Sequence, residues 1–185
     1  FQNEITMLQE NGHEVVKYIR YNNDIENRGI ISKIKLYLNT IFSIRTYFEI
    51  RKIIETENID LIHVHNTLPL ISPSVYYAAF SKKIPVVQTL HNFRLLCPKG
   101  TFTREERICE LCVQKGLINS VKYKCYRNSL SSSFALYSML KFHRLIGTFK
   151  KVNGYIALTE FSKKKFSSLI SPEKIFIKSN FVKFS

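Results

Sequence analysis

A chain of 185 residues with 45% apolar side chains can bury one sizeable core. It has no run near the roughly 20 apolar residues that a membrane-spanning helix needs, and its opening, FQNEITMLQENGHEV, lacks the charged start and apolar centre of a signal peptide. The formal charge of +14 is uneven: residues 1–98 carry 11 basic and 9 acidic side chains, residues 99–185 carry 17 and 5, and none between Glu110 and Glu160 is acidic. A solvated basic surface accounts for this, as does an anionic partner such as a membrane leaflet, a phosphorylated substrate or nucleic acid.

In chain order, the first residues read as an amphipathic helix with Phe1, Ile5 and Leu8 on one face and Gly12 as its C-terminal cap. A chain that opens inside a helix is expected to be a fragment that lacks an upstream element. His13–Ile19 reads as a strand, and a polar turn, NNDIENRG, follows. Ser32–Glu57 reads as one long helix with Ile34, Leu38, Ile41, Ile44, Phe48 and Ile53 at helical spacing. Two similar apolar runs come next, DLIHVHN (Asp60–Asn66) and PVVQTLHN (Pro85–Asn92), each ending in His-Asn. The SPSVYYAAFSKK segment between them reads as a helix with Pro73 in its first turn. This is a βαβ unit, so its strands are parallel and its crossover right-handed. In open parallel sheets ligands bind beyond the carboxyl ends of the strands, where His65-Asn66 and His91-Asn92 fall.

From Phe93 to about Ser129 the regular pattern fails, and irregular stretches of that length are usually functional. Alternation resumes with a helix over Ser131–Lys151, a strand Gly154–Leu158, a helix opened by Thr159 and Glu160, and a short strand within SPEKIFIKSNFV. The layout is α/β: a Rossmann-like, doubly wound, mostly parallel sheet without its first strand, carrying a cysteine-containing insertion over 93–129.

Cys97, Cys109, Cys112 and Cys125 all lie in that insertion, spaced C-x11-C-x2-C-x12-C. A C-x2-C pair lets two thiolates reach one ion from a tight turn, and two outlying cysteines complete a tetrahedral thiolate site. Structural zinc, disulfide bridges and free thiols all remain open on this spacing, and without a secretion signal zinc is preferred to disulfides. The helix over Ser131–Lys151 sets Phe134, Leu136, Leu140, Phe142 and Ile146 beside Lys141, Arg144, Lys150 and Lys151. That pattern suits an anionic membrane surface or an ordinary core-facing helix.

The DLIHVHN–TLPLISPSVYYAA run, PVVQTLHNFRLLCPKG, the C-x2-C and KCYR, GYIALTEFSKKKF and KSNFV follow one another at spacings that resemble the N-terminal, acceptor-side domain of family-4 retaining glycosyltransferases. The similarity runs from Glu4 to Val182, and the LLCP…CxxC…CYR insertion is similar to that of a subgroup engaged in cell-surface polysaccharide assembly. The resemblance implies a GT-B fold, in which an acceptor domain and a nucleotide-sugar-binding domain face each other across a cleft. It places His91 against the transferred sugar as the catalytic-site histidine, with Asn92 beside it. Arg94, read from the residues alone, suits a phosphate contact or a salt bridge equally. His65, Asn66 and Thr67 fall on the acceptor side, Thr159 and Glu160 at the turn nearest the interdomain hinge, and Asn180 where the chain crosses between domains.

The family's glycine-rich loop and its donor domain have no counterpart in these residues, so the chain is expected to be an acceptor half, inactive alone. The implied partners are a nucleotide-sugar and a glycan or lipid-linked acceptor, at a cytoplasmic location on the inner face of the plasma membrane. His63, deeper on the strand of His65, reads as packing, and His143 as a residue without special role. The alternative readings are a zinc-supported basic nucleic-acid-binding module and a non-catalytic adaptor for a glycan or lipid carrier.

Overall fold

A computed structural model of the protein describes residues 2–21, 29–68 and 70–180. The expectations for Phe1, for the polar turn over 22–28 and for Phe181 and Val182 lie outside that range. Helix α1 (Gln2–Glu10) is followed by α2 (Gly29–Ile41), α3 (Ile44–Thr56), β1 (Ile62–Val64), α4 (Ser74–Ser81) and β2 (Val86–Leu90). The insertion contains β3 (Thr103–Arg104), β4 (Arg107–Ile108), α5 (Leu111–Gln114) and α6 (Asn119–Lys122). Then come α7 (Leu130–Leu145), α8 (Thr148–Lys151), β5 (Gly154–Ala157), α9 (Glu160–Phe166) and β6 (Ile175–Ile177).

Strands β1, β2, β5 and β6 form one parallel sheet in that order. The two His-Asn pairs sit just beyond the ends of β1 and β2, as the βαβ reading requires. Alternation along β2 directs Gln88 to one face and Thr89 to the other. Tyr76 of α4 donates its hydroxyl to Gln88 at 2.8 Å, while Glu4 of α1 lies against His65 on the Thr89 face. Helices therefore cover both faces, the Rossmann-like arrangement. Tyr76, Tyr155, Phe149, Phe166, Leu136 and Leu140 are almost wholly buried, and the two tyrosines keep hydrogen bonds inside the core: Tyr155 donates to the Phe149 carbonyl at 2.8 Å. Among the described residues no helix is long and apolar enough to cross a membrane.

Helix α1 ends as expected: Gly12 adopts φ +82°, and the His13 amide reaches the Leu8 carbonyl at 3.1 Å. His13–Ile19 is extended but is not a strand, because among the described residues it pairs with no neighbour. A groove of about 1190 Å³ separates it from the free edge of β1. Beyond the His13 amide, side chains anchor it among the described residues, with Tyr18 donating to Glu49 at 2.6 Å and Arg20 pairing with the same carboxylate at 2.5 Å. Periodicity detects alternation but cannot supply the partner that makes an extended segment a strand.

The long helix expected over Ser32–Glu57 is two helices. Ser43 breaks it by capping α3, its Oγ accepting the Thr46 amide at 3.2 Å while its own amide donates to the buried Ser72 Oγ at 2.9 Å. The break shifts the helical phase. Thr46, Ile50 and Ile54 face the core, whereas Ile34, Leu38, Ile44 and Phe48 are exposed. The helix expected over Ser131–Lys151 is likewise divided, at Gly147 with φ +69°. The irregular insertion holds a short hairpin and two single-turn helices.

His143 is fully buried and structural. Its Nε2 lies 2.9 Å from the Ile41 carbonyl, which can only accept, so that nitrogen carries the proton. Nδ1 then accepts from Thr148 at 2.9 Å, and Thr148 in turn accepts from Tyr77 at 2.7 Å. This chain ties the end of α2 to α7, α8 and α4. His143→Leu should leave the Ile41 carbonyl without its donor and the Thr148 hydroxyl proton without its acceptor, and lower stability by about 1–3 kcal/mol, read as a shift in the urea midpoint with an unchanged slope.

Candidate functional site

The β1–β2 register sets the site. Ile62 pairs with Val86, His63 with Val87 and Val64 with Gln88. With a two-residue period, His63 and His65 of one strand share a face with Thr89 and His91 of the other. His63 Nε2 lies 2.8 Å from Thr89 Oγ1, and His65 Nδ1 lies 2.9 Å from His91 Nε2. The rings of His63 and His65 are 4.3 Å apart and those of His65 and His91 5.2 Å apart.

Glu4 descends from α1 onto this row. One carboxylate oxygen lies 3.4 Å from His65 Nε2, and the other is paired with Lys178, the residue immediately after β6. Burial works to raise the Glu4 pKa, but the Lys178 contact and the nearby His63 and His65 outweigh it and hold the carboxyl below its ordinary value. Burial pushes the other way on the imidazoles. It lowers His63 and His91, and together with His63 it brings His65 down to about 4. The three rings are neutral near pH 7. The Glu4 carboxylate favours a proton on His65 Nε2, so Nδ1 accepts from His91 Nε2–H and His91 keeps a lone pair on Nδ1. Glu4, His65 and His91 thus form a carboxylate–imidazole–imidazole chain that fixes the tautomer of the exposed His91.

A polar pocket of about 250 Å³ opens beside His91, lined by Asn3, Glu4, Thr89, Leu158, Lys178 and Asn180 among others. His65, Asn66 and Thr67 instead border the larger groove along β1, and Glu4 borders both cavities. Asn66 is exposed, while Thr67 is buried and its carbonyl accepts the amides of Ile71 and Ser72. Asn92 turns back to accept the Arg94 amide at 3.0 Å. The Arg94 guanidinium lies over the Tyr126 ring at 5.6 Å, pointing towards the insertion, and its buried Nε has no hydrogen-bond partner. Thr159 caps α9 by accepting the Ser162 amide at 3.1 Å, with exposed Glu160 in the first turn. Both follow β5 but do not line the pocket.

The profile of glycosyltransferase family 4 matches residues 2–184. The chain belongs to glycosyltransferase family 4. It is an N-terminal domain of that family, with the family's Rossmann-like fold. Neither a curated protein nor a solved structure matches it significantly. Family membership makes this a transferase domain with sugar-containing substrates, and it turns the polar end of the sheet into the region of interest.

Sequence reading missed Glu4, Lys178 and Thr89, and took His63 as packing. Lys178 stands just past a strand end, so the rule that singled out His65 and His91 would have found it once β6 was bounded. Glu4 left no local signal, since only the docking of α1 carries it there. Among the described residues, Glu4, His63 and His65 are also the only triple whose candidate metal-ligating atoms lie within 4.8 Å of one another. Lys178 already pairs with that carboxylate. No disulfide joins any of the four cysteines.

The unfolded chain protonates His65 near its ordinary 6.5, the folded chain near about 4. The unfolded state therefore binds more protons between those values, and the His65 contribution to stability is complete above the upper value and lost as pH falls towards the lower. The thermal midpoint of the native domain should drop across this window more steeply than that of His65→Asn. Equal slopes in the two proteins would show that His65 titrates as a solvated group.

Proposed function

We propose that this domain is the acceptor side of a retaining glycosyltransferase. In this reading the enzyme moves a sugar from a nucleotide-sugar to a glycan or lipid-linked acceptor during assembly of a cell-surface polysaccharide. The observation that carries it is the Glu4–His65–His91 chain at the carboxyl ends of parallel strands, bordering a polar pocket, in a family-4 domain. A second domain would hold most of the nucleotide-sugar, so this one is inactive alone.

The chemistry asks little covalent work of the protein. When configuration is retained without a covalent intermediate, the leaving diphosphate departs from the face on which the acceptor attacks. Catalysis is then positioning and stabilisation of developing charge. His91, exposed and held in one tautomer by His65, would meet the transferred sugar. Asn92 and Asn180 would supply hydrogen bonds, and the Lys178 ammonium a fixed positive charge in the pocket. Asn66, Thr67, Thr159 and Glu160 would frame the acceptor path.

The test is release of nucleoside diphosphate by the protein that carries this domain joined to its donor-binding domain, across a panel of nucleotide-sugars, with and without membrane lipid extract. Release should depend on one donor, rise with the extract and fall roughly 100-fold in His91→Ala, the size of losing one well-placed hydrogen-bond partner in the transition state. A folded protein that releases nothing with any donor would favour the adaptor reading.

The acceptor is expected at a membrane surface. Exposed Ile34, Leu38, Phe134 and Phe142 lie on α2 and α7, which pack together through the stacked Tyr37 and Phe134 rings 5.9 Å apart, next to exposed Lys33, Lys35 and Lys141. Apolar side chains beside lysines suit the inner leaflet. The domain should co-sediment with anionic vesicles and not with neutral ones, and Phe134→Ser/Phe142→Ser should weaken this binding at constant charge.

A further inference from the structure

We propose that Cys97, Cys109, Cys112 and Cys125 bind one zinc ion as a structural tetrathiolate that braces the loop leaving His91. The first support is convergence. Cys97 lies in the turn that follows Phe93, its amide bonded to the Phe93 carbonyl at 2.8 Å. The β3–β4 hairpin returns Cys109, whose amide bonds to the Phe102 carbonyl at 2.7 Å. Helix α5 carries Cys112, and the turn after α6 brings in Cys125, bonded to the Ser120 carbonyl at 2.9 Å. These elements bring the four cysteines into one lobe, where no three of their sulfurs lie within 4.8 Å of one another among the described residues. Zinc would draw the sulfurs together to about 3.8 Å, the edge of a tetrahedron with zinc–sulfur bonds of about 2.3 Å.

Charge gives the second support, independent of the spacing. Arg144 projects from α7 into the lobe beside Cys112, where its guanidinium donates to the Leu95 carbonyl and its buried Nε has no partner. Arg104 stacks on Tyr123 at 3.8 Å next to Cys109, and Lys99 lies near Cys125. No carboxylate pairs with Arg144 or Arg104 among the described residues. Glu105 acts on Arg104, but with four neutral thiols the half-buried Arg144 guanidinium has no ion-pair partner among the described residues, which is costly. Four thiolates around a divalent ion form a unit of net charge −2, and this anion is what the ring of cations fits.

The third support is backbone strain. Phe102, Glu105, Glu106, Lys124, Arg127 and Asn128 all adopt positive φ inside the insertion, six of the nine such non-glycine residues described. Glu105 and Glu106 are the two-residue turn of the β3–β4 hairpin, which requires positive φ at both. The strain at Phe102, Lys124, Arg127 and Asn128 needs a local constraint to hold it, and two single-turn helices supply little. A metal cross-link does.

The Glu4, His63 and His65 triple is the competing ligand set. Lys178, Thr89 and His91 already engage its members. The brace has a purpose at the cleft, which rests on the transferase reading. The Phe93 amide bonds to the Gly100 carbonyl at 2.9 Å, and a Cβ at Gly100 would touch Asn92 Oδ1 at 3.5 Å. The lobe therefore fixes the loop that presents Asn92.

The experiment is metal analysis of the purified, reduced 185-residue chain supplied with zinc, by plasma mass spectrometry and by zinc release on titration with a mercurial. The result expected is one zinc per chain, released in step with modification of four thiols. The metal should be retained in His63→Ala/His65→Ala and lost in Cys109→Ser/Cys112→Ser. Cobalt substituted for zinc should show thiolate-to-metal charge-transfer absorption. Should the cysteine variant fail to fold, thiol accounting on the native chain still decides. A folded native chain without zinc, zinc that survives loss of the cysteines or leaves with the histidines, or disulfides found by alkylation and mass spectrometry each overturn the proposal. None of these readouts depends on sugar transfer, so failure of the transferase reading is separately visible.

Discussion

The parallel pairing of β1 with β2 is the constraint on which the site depends. Because side chains alternate with a period of two, that register puts His63, His65, Thr89 and His91 on one face and Gln88 on the other. A slip of one residue would send Thr89 and His91 to the α4 side, away from His63 and His65. The register is held from both faces, by the Tyr76–Gln88 hydrogen bond on one and the His63–Thr89 contact on the other. The crossover α4 keeps both strands pointing the same way, so that both end at the same edge of the sheet. Sheet geometry thus comes before the chemistry.

The polar edge then works through desolvation. Three imidazoles packed within ring-contact distance resist protonation, because burial and mutual repulsion act together. Glu4 is held charged against the same burial by Lys178. The result is one ion pair behind a row of neutral rings, with a directed hydrogen-bond chain ending at His91. Such an arrangement is suited to orienting a sugar and steadying charge, without a strong base or nucleophile.

The basic second half of the chain reads differently once folded. Its charge is not one continuous surface. Arg144 and Arg104 are drawn into the cysteine lobe, Lys165 pairs with Glu110 to fasten that lobe to α9, and Lys178 serves the pocket. Other basic side chains of this half, Lys115, Lys122, Lys124, Lys150 and Lys151 among them, stay exposed. The nucleic-acid reading drew on the charge asymmetry and the C-x2-C pair, and the family match and the fold both favour the transferase.

The amino-acid sequence by itself determined the parallel α/β layout, the βαβ unit and the placement of His65 and His91 at strand ends. Apolar runs, turn residues and two periods of side-chain direction are local properties, and they were enough. The motifs from DLIHVHN to KSNFV also carried the family. Tertiary structure alone decided the rest. His13–Ile19 has the pattern of a strand but, among the described residues, no neighbour to pair with, and Ser43 ends a helix because Ser72, distant in sequence, accepts its amide. Glu4 and Lys178 come from opposite ends of the chain and meet over His65 only because α1 packs on the face that β1 and β2 share. Contacts between residues so far apart leave no periodic trace. They are made by the packing of whole elements, which no local pattern encodes.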